Sequence, residues 1–149
     1  MKSRKNIAVC AALVLLLGVL VSSGGAAGPA NQIVANYADI LKANPMPAGE
    51  KAQAITLASD PTATVNLVRF APGAQVPPHF HKSHSETLYV IEGSGKMVVD
   101  GKEIDIGPGS IIHVPANKPH AAKCASGGEL IGLQIFAPEW TEPDRVPVP

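Results

Sequence analysis

Residues 54–136 of this chain alternate apolar and polar side chains with a period of two, which is the spacing of a half-buried β-strand. Residues that favour turns interrupt this alternation at short intervals. Asp100-Gly101 is typical of a two-residue hairpin, and the glycines within residues 93–95 and 107–109 tolerate positive φ. Many short strands without intervening helices predict an all-β fold, either an antiparallel sandwich or a closed barrel.

Eight strands are predicted in this part of the chain, over residues 64–70, 78–81, 87–92, 96–100, 102–106, 110–114, 120–124 and 130–136. A short helix is predicted before them over residues 31–43, because Tyr37, Ile40 and Leu41 recur at helical spacing and Asn36 is a suitable cap. Residues 137–149 contain four prolines and cannot form a central strand. We expect this tail to run extended over the barrel, with Trp140 as its anchor.

The start of the chain has the three zones of a secretory signal peptide. Lys2, Arg4 and Lys5 precede an apolar run over residues 7–21, and small residues follow as far as Ala27. The apolar run is shorter than the roughly 20 residues that span a bilayer, so we predict cleavage after Ala27; an uncleaved membrane anchor is the alternative. No arginine pair precedes the run, so the general secretory route to the periplasm or the medium is expected.

The predicted organisation is therefore a signal peptide at 1–27, an N-terminal segment at 28–53, the β-domain at 54–136 and a proline-rich tail at 137–149. Cleavage would remove three of the twelve basic residues and none of the twelve acidic ones. The remaining mildly acidic domain has no basic patch, which argues against nucleic acid as a partner, and no membrane contact is expected after cleavage. Cys124 would be its only cysteine, so a metal ion or a partner subunit is expected to supply stability in place of a disulfide.

Three histidines and one glutamate are spaced to meet at one site. His79 and His81 lie two residues apart, so both imidazoles point to the same face of a strand. Glu86 follows after a short link, and His120 begins a later strand after Pro119, so we expect all four to converge on one wall of the barrel. This ligand set suits Fe, Mn, Co, Ni, Cu or Zn, and on an octahedral ion it leaves two positions open, as reactive sites require.

These residues lie in two motifs with fixed spacing. The first is Gly73-x5-His79-x-His81-x4-Glu86-x6-Gly93, and after a 15-residue spacer the second is Gly109-x5-Pro115-x-Asn117-x2-His120-x3-Cys124. The pair resembles the two motifs of the cupin superfamily, with a spacer as short as in small single-domain bacterial cupins. The second motif departs from the family at Asn117, in place of glycine, and at Cys124, in place of asparagine. Asn117 is a mild departure, because asparagine also tolerates the left-handed conformation.

The resemblance implies a single cupin barrel, that is, a double-stranded β-helix or jelly roll. It also implies one divalent metal ion on His79, His81, Glu86 and His120, and a homodimer paired through a sheet edge. Glu86 is expected to be both a metal ligand and a catalytic base. His113, in an otherwise apolar strand, either lines the cavity as a catalytic proton carrier or points outward at a dimer partner. His84 is expected to be a solvated loop residue, and Cys124 a small buried one.

Three activities remain open for such a protein. The leading hypothesis is a mononuclear metal-dependent oxygenase that acts on a small organic substrate. The second is a metal-dependent lyase or isomerase of a small organic or sugar acid, and the third is a non-catalytic periplasmic binding or sensing module. An exported chain collects its metal outside the cytoplasm, where the Irving–Williams order favours Zn or Cu.

The lining of the cavity would discriminate between these activities. Inward-facing Arg69 and Gln134 would favour an acid or sugar ligand. An apolar lining would favour an oxygenase substrate; its candidate residues are Val68, Met97, Val99, Ile131 and Leu133.

Overall fold

The computed structural model describes residues 35–148, so the predicted signal peptide at 1–27 lies outside the described residues. The described part of the chain contains one helix and ten strands. They are α1 (Tyr37–Ala43), β1 (Ala52–Asp60), β2 (Ala63–Phe70), β3 (Gln75–His81), β4 (Ser85–Glu92), β5 (Gly95–Val99), β6 (Lys102–Ile106), β7 (Ile111–Val114), β8 (His120–Cys124), β9 (Leu130–Ala137) and β10 (Arg145–Pro147). Within this part, no helix is long and apolar enough to cross a bilayer.

The strands form two five-stranded sheets in which every pairing is antiparallel. The first sheet has the order β1-β2-β9-β4-β7, and the second has the order β10-β3-β8-β5-β6. Sequential strands repeatedly change sheet, as at β2 to β3 and β3 to β4, which is the connectivity of a jelly roll.

Side chains of both sheets meet in an apolar core that fills one part of the interior. Val68, Leu88 and Val90 of the first sheet pack in the same buried cluster as Met97 and Cys124 of the second. Since strand residues alternate between faces, the neighbouring residues of these strands point outward. The period-two pattern of the sequence therefore sets the two faces of each sheet.

The outer face of the first sheet is covered in part by α1. Tyr37, Ile40 and Leu41 of the helix pack against Leu67 and Ile131 of the sheet. The side chain of Asn36 accepts a hydrogen bond from the Ala38 amide at 2.9 Å and caps the helix, as predicted. The helix begins at Tyr37 within the described residues, and residues 31–34 of the predicted helix lie outside them.

Gly93 is the last fixed position of the first motif, and the surrounding backbone leaves no room for a side chain there. Its φ is +80°, and a Cβ atom added there would lie 2.0 Å from the carbonyl oxygen of Glu129. Both the backbone conformation and the close approach of a neighbouring chain segment exclude a side chain.

All eight predicted strands are present, with ends that differ by up to three residues. Two further strands, β1 and β10, were not predicted. Both lie at sheet edges, where much of one face stays exposed and the apolar alternation is weak. The tail does not form a central strand, as expected, but β10 adds an edge strand to the second sheet despite Pro147.

Candidate metal centre

The structure brings His79, His81, Glu86 and His120 together in one buried cluster. His79 and His81 lie on β3, and His120 begins β8, where it is the direct cross-strand neighbour of His79. Glu86 comes from β4 of the first sheet. The expected convergence on one wall therefore holds for the three histidines and is wrong for Glu86, because the chain crosses from one sheet to the other between β3 and β4.

The donor atoms of the cluster are spaced as ligands of a single ion would be. All four lie within 4.8 Å of one another, and Glu86 Oε2 is 3.0 Å from His120 Nε2 and 3.3 Å from His81 Nε2. Two donors that are each about 2.1 Å from one ion, and at right angles to each other, lie about 3 Å apart. The spacing therefore fits a divalent metal ion held by three imidazole nitrogens and one carboxylate.

Backbone carbonyl groups fix the orientation of two of the imidazole rings. His79 Nδ1 lies 2.8 Å from the carbonyl oxygen of Pro77, and His120 Nδ1 lies 3.0 Å from that of Lys118. Because a carbonyl only accepts, these contacts place the proton of each ring on Nδ1 and leave Nε2 for the cluster. Arg145 Nη2, which can only donate, lies 3.3 Å from His79 Nδ1 and makes the longer of the two contacts there. His81 Nε2 is buried and has no aligned hydrogen-bond partner within residues 35–148, which is the condition of a nitrogen that a metal ion would bind.

A polar network that was only partly foreseen holds the carboxylate from the other side. Gln134 Nε2 donates to Glu86 Oε1 at 2.8 Å, and Gln134 is paired across the strands with the buried Asn66. Thr56 donates in turn to the Asn66 side chain at 2.9 Å. With Oε1 engaged by the amide, Glu86 presents Oε2 to the histidines.

The electrostatics of the cluster favour the metal-binding forms of Glu86 and His79, whereas His120 shares a proton with Glu86. Burial disfavours the charged form of Glu86, but the hydrogen bond with His120 and the close His81 imidazole outweigh it and hold the pKa of this carboxyl well below its ordinary value. Burial, the nearby Arg145 cation and His120 lower the pKa of His79 to about 3. Burial also acts against the charged form of His120, but the contact with Glu86 prevails and raises its pKa. An arriving ion would displace the proton that His120 shares with Glu86.

His84 is not the solvated loop residue that we expected, because it is only 1% exposed. Its ring stacks on Trp140 at a centroid distance of 5.4 Å, its Nε2 lies 2.6 Å from the carbonyl oxygen of Glu139, and its Nδ1 lies 2.6 Å from Asp144 Oδ2. The tail thus folds back over the link between β3 and β4, and Trp140 anchors it as predicted. No local pattern indicates these contacts, since His84 and its partners are 55 to 60 residues apart in sequence.

Residues 66–136, which contain all four candidate ligands, match the family model of the Cupin domain. This part of the chain is a cupin domain. The chain also resembles a Klebsiella pneumoniae protein with a double-stranded β-helix domain, at a TM-score of 0.66 and 15% identity over 79% of this chain and 98% of the other. The predicted all-β cupin barrel is confirmed.

Two similar proteins have described activities. Quercetin 2,3-dioxygenase of Bacillus subtilis (strain 168) is 43% identical over 64 residues, which are 42% of this chain and 19% of that protein. Pac13 of Streptomyces, a nucleoside dehydratase, is 25% identical with a TM-score of 0.58, over 66% of this chain and 78% of the other. The chain spans between 19% and 51% of the length of the curated relatives it matches.

His113 lies outside the cluster of the cupin domain. It is on the exposed face of β7, and its Nδ1 lies 2.9 Å from the hydroxyl of Thr87. Its side chain therefore points away from the interior, which removes the basis for a cavity-lining catalytic role. Of the inward and outward orientations expected for His113, the structure shows the outward one.

The two departures from the family motif have simple structural accounts. Asn117 adopts a φ of +64°, the left-handed conformation that glycine would take, and its backbone amide donates to the carbonyl oxygen of His81 at 2.6 Å. Cys124 is 4% exposed and its thiol faces backbone carbonyl groups, so it is the small buried residue that we expected. Burial raises the pKa of this thiol, which disfavours a reactive thiolate.

Replacement of His79 with Ala should abolish metal binding, because one of four ligands is lost. Zn²⁺ at a free concentration of 100 times its Kd would stabilise the parent protein by about 2.7 kcal/mol. We expect this stabilisation to vanish in His79→Ala when thermal unfolding is recorded with and without Zn²⁺ after treatment with a chelator. His113→Ala is the matched control, since it removes an exposed imidazole outside the cluster, and it should keep the full stabilisation. An equal Zn²⁺ effect in His79→Ala would contradict the ligand assignment.

Proposed function

We propose that this protein is a mononuclear metal-dependent oxygenase that acts on a small organic substrate. The observation that carries this proposal is the cluster of three imidazoles and one carboxylate, which is buried and has its donor atoms within 4.8 Å of one another. A divalent ion bound there would supply a Lewis-acid or redox centre, and an octahedral ion would keep two coordination positions that these four ligands do not fill.

The side chains around the cluster have separate tasks in this proposal. The carbonyl groups of Pro77 and Lys118 hold His79 and His120 in the tautomer that directs Nε2 inward. Gln134 holds Glu86 Oε1, so Oε2 remains available as a ligand and as the acceptor of a substrate proton. The four candidate ligands are themselves between 4% and 7% exposed, which limits their contact with bulk water.

The similarity to quercetin 2,3-dioxygenase supports the oxygenase proposal, although the matched part is 19% of that protein. The apolar lining expected for an oxygenase is present in part. Val68 and Met97 belong to the apolar core between the sheets, and Val99 packs against it. Ile131 and Leu133 instead lie on the outer face of the first sheet, in the cluster that packs against α1. The interior next to the candidate ligands is thus bordered by apolar residues on one side.

A lyase or isomerase acting on a polar small molecule is the second candidate. Gln134 points inward at Glu86, and the buried Asn66 and Thr64 lie on the same inner face of β2. Arg69, the other residue that would have favoured an acid or sugar, points outward and donates to Gln53 and to the Asn44 carbonyl. The similarity to a nucleoside dehydratase also supports this candidate.

Oxygen uptake decides between the two candidates. Metal-replete protein is given a panel of phenols, diketones and sugar acids, and oxygen consumption is recorded together with substrate loss. The oxygenase proposal predicts that the two occur together and fall at least about 100-fold in Glu86→Gln, which loses a charged ligand and proton acceptor. The surface variant Glu103→Gln should retain both rates. Substrate loss that continues without oxygen would favour the second candidate, and no turnover of any substrate would contradict both.

We further propose that two copies of the chain pair through the β7 edge of the first sheet. Tyr89 and Ile111 are directly paired on the outer face of β4 and β7, and they are 41% and 71% exposed. Such large apolar side chains side by side at a sheet edge favour burial against a second copy. Light scattering at micromolar concentration should give a dimer, and Ile111→Lys should shift it to monomer. Ala58→Lys, on the exposed strand β1 at the opposite edge of the same sheet, should not. A monomeric parent protein would contradict this pairing.

A further inference from the structure

The three imidazole rings of the candidate metal centre are not held in the same way. His79 and His120 each direct Nδ1 at the carbonyl oxygen of the residue two positions earlier. By the same rule, His81 Nδ1 would contact the carbonyl oxygen two residues earlier on β3. It makes no aligned hydrogen bond to that group or to any other group within the described residues. The nearest acceptor to this nitrogen is Asp144 Oδ2, at 3.4 Å. The partner that His81 lacks on its own strand is thus offered by the tail.

Asp144 is a carboxylate that the fold holds in place from several directions. It is 4% exposed, its Oδ1 accepts a hydrogen bond from the Ser83 amide at 2.8 Å, and its Oδ2 lies 2.6 Å from His84 Nδ1. A buried carboxylate is costly unless it is paired, and here its second oxygen lies between two imidazole rings. The position of Asp144 is therefore determined by the same link that joins the two ligand-bearing strands.

The strand that carries His79 and His81 also binds the segment that carries Asp144. Arg145 pairs with His81 and Pro147 with His79 in the β10–β3 ladder, and the Lys82 amide donates to the Asp144 carbonyl oxygen at 3.3 Å. Asp144 therefore stands immediately before β10 and opposite the end of β3. The pairing of β10 with β3 therefore also places the Asp144 carboxylate beside His81.

We propose that Asp144 is a positioning residue that holds His81 with its proton on Nδ1 and its Nε2 directed at the metal, so that one carboxylate of the C-terminal tail completes the metal centre. This role rests on the proposed metal site. A carboxylate that accepts the second N–H of a metal-bound imidazole fixes the ring and raises its basicity, and its loss typically weakens metal affinity about 10- to 100-fold. The sequence motif alone would place this centre wholly within residues 79–120.

The affinity test uses the isosteric variant Asp144→Asn in the full chain. Zn²⁺ affinity is measured by competition with a chelating dye, and the absorption spectrum of the Co²⁺-loaded protein reports the ligand geometry. We expect Asp144→Asn to bind Zn²⁺ about 10- to 100-fold more weakly and to show a changed Co²⁺ spectrum. Glu142→Gln is the matched control, because it removes one negative charge from the exposed part of the same segment, and it should change neither quantity.

A second measurement needs no variant and so does not depend on whether Asp144→Asn folds. Long-range ¹H–¹⁵N correlation spectra of the Zn²⁺-loaded parent protein assign the tautomer of each histidine ring. The role predicts that His81 is protonated on Nδ1 and bound through Nε2; protonation on Nε2, or an unchanged affinity in a folded Asp144→Asn, would overturn it while leaving the metal site intact. A parent protein that binds no Zn²⁺ would overturn the proposed metal site and this role together.

Discussion

The interaction on which the rest of this structure depends is the meeting of one buried carboxylate from the first sheet with three imidazoles from the second. Glu86 Oε2 lies within 3.3 Å of both His81 Nε2 and His120 Nε2. An isolated buried charge of this kind would be unstable, and shared protons or a bound cation are what offset its desolvation. The cluster thus joins the two sheets at the polar end of the interior, as the apolar core joins them elsewhere.

The interior is accordingly divided into two parts with different tasks. The apolar cluster around Val90 and Met97 supplies burial and stability. In the polar part, Glu86, Gln134 and Asn66 are joined by hydrogen bonds, and four possible metal-ligand atoms lie within 4.8 Å of one another. Because hydrogen bonds already hold His79, His120 and Glu86 in place, these side chains have little freedom left to lose when an ion binds.

The parts of the fold and site that could be predicted from sequence are those set by local spacing. Two histidines that lie two residues apart on a strand must share a face. Gly93 occupies a position where the backbone leaves no room for a side chain. Asn36 caps the helix by accepting a hydrogen bond from the amide of Ala38, only two residues away. The parts that were missed depend on pairings across long stretches of chain. The sequence around His84 predicts a polar loop residue, and only the fold shows that Asp144 lies beside it. The sequence around His113 does not show which face of its strand the side chain occupies, since a shift of one residue reverses the faces.

We infer that one ion is held by His79, His81, Glu86 and His120 and by no other residue in the described part of the chain. X-ray absorption of the Zn²⁺-loaded protein tests this most directly, because it counts the donor types around the ion. We expect three imidazole nitrogens and carboxylate oxygen at about 2.0 to 2.2 Å, with no sulfur shell. Fewer than three imidazoles, or a sulfur neighbour at about 2.3 Å that would implicate Cys124, would contradict it.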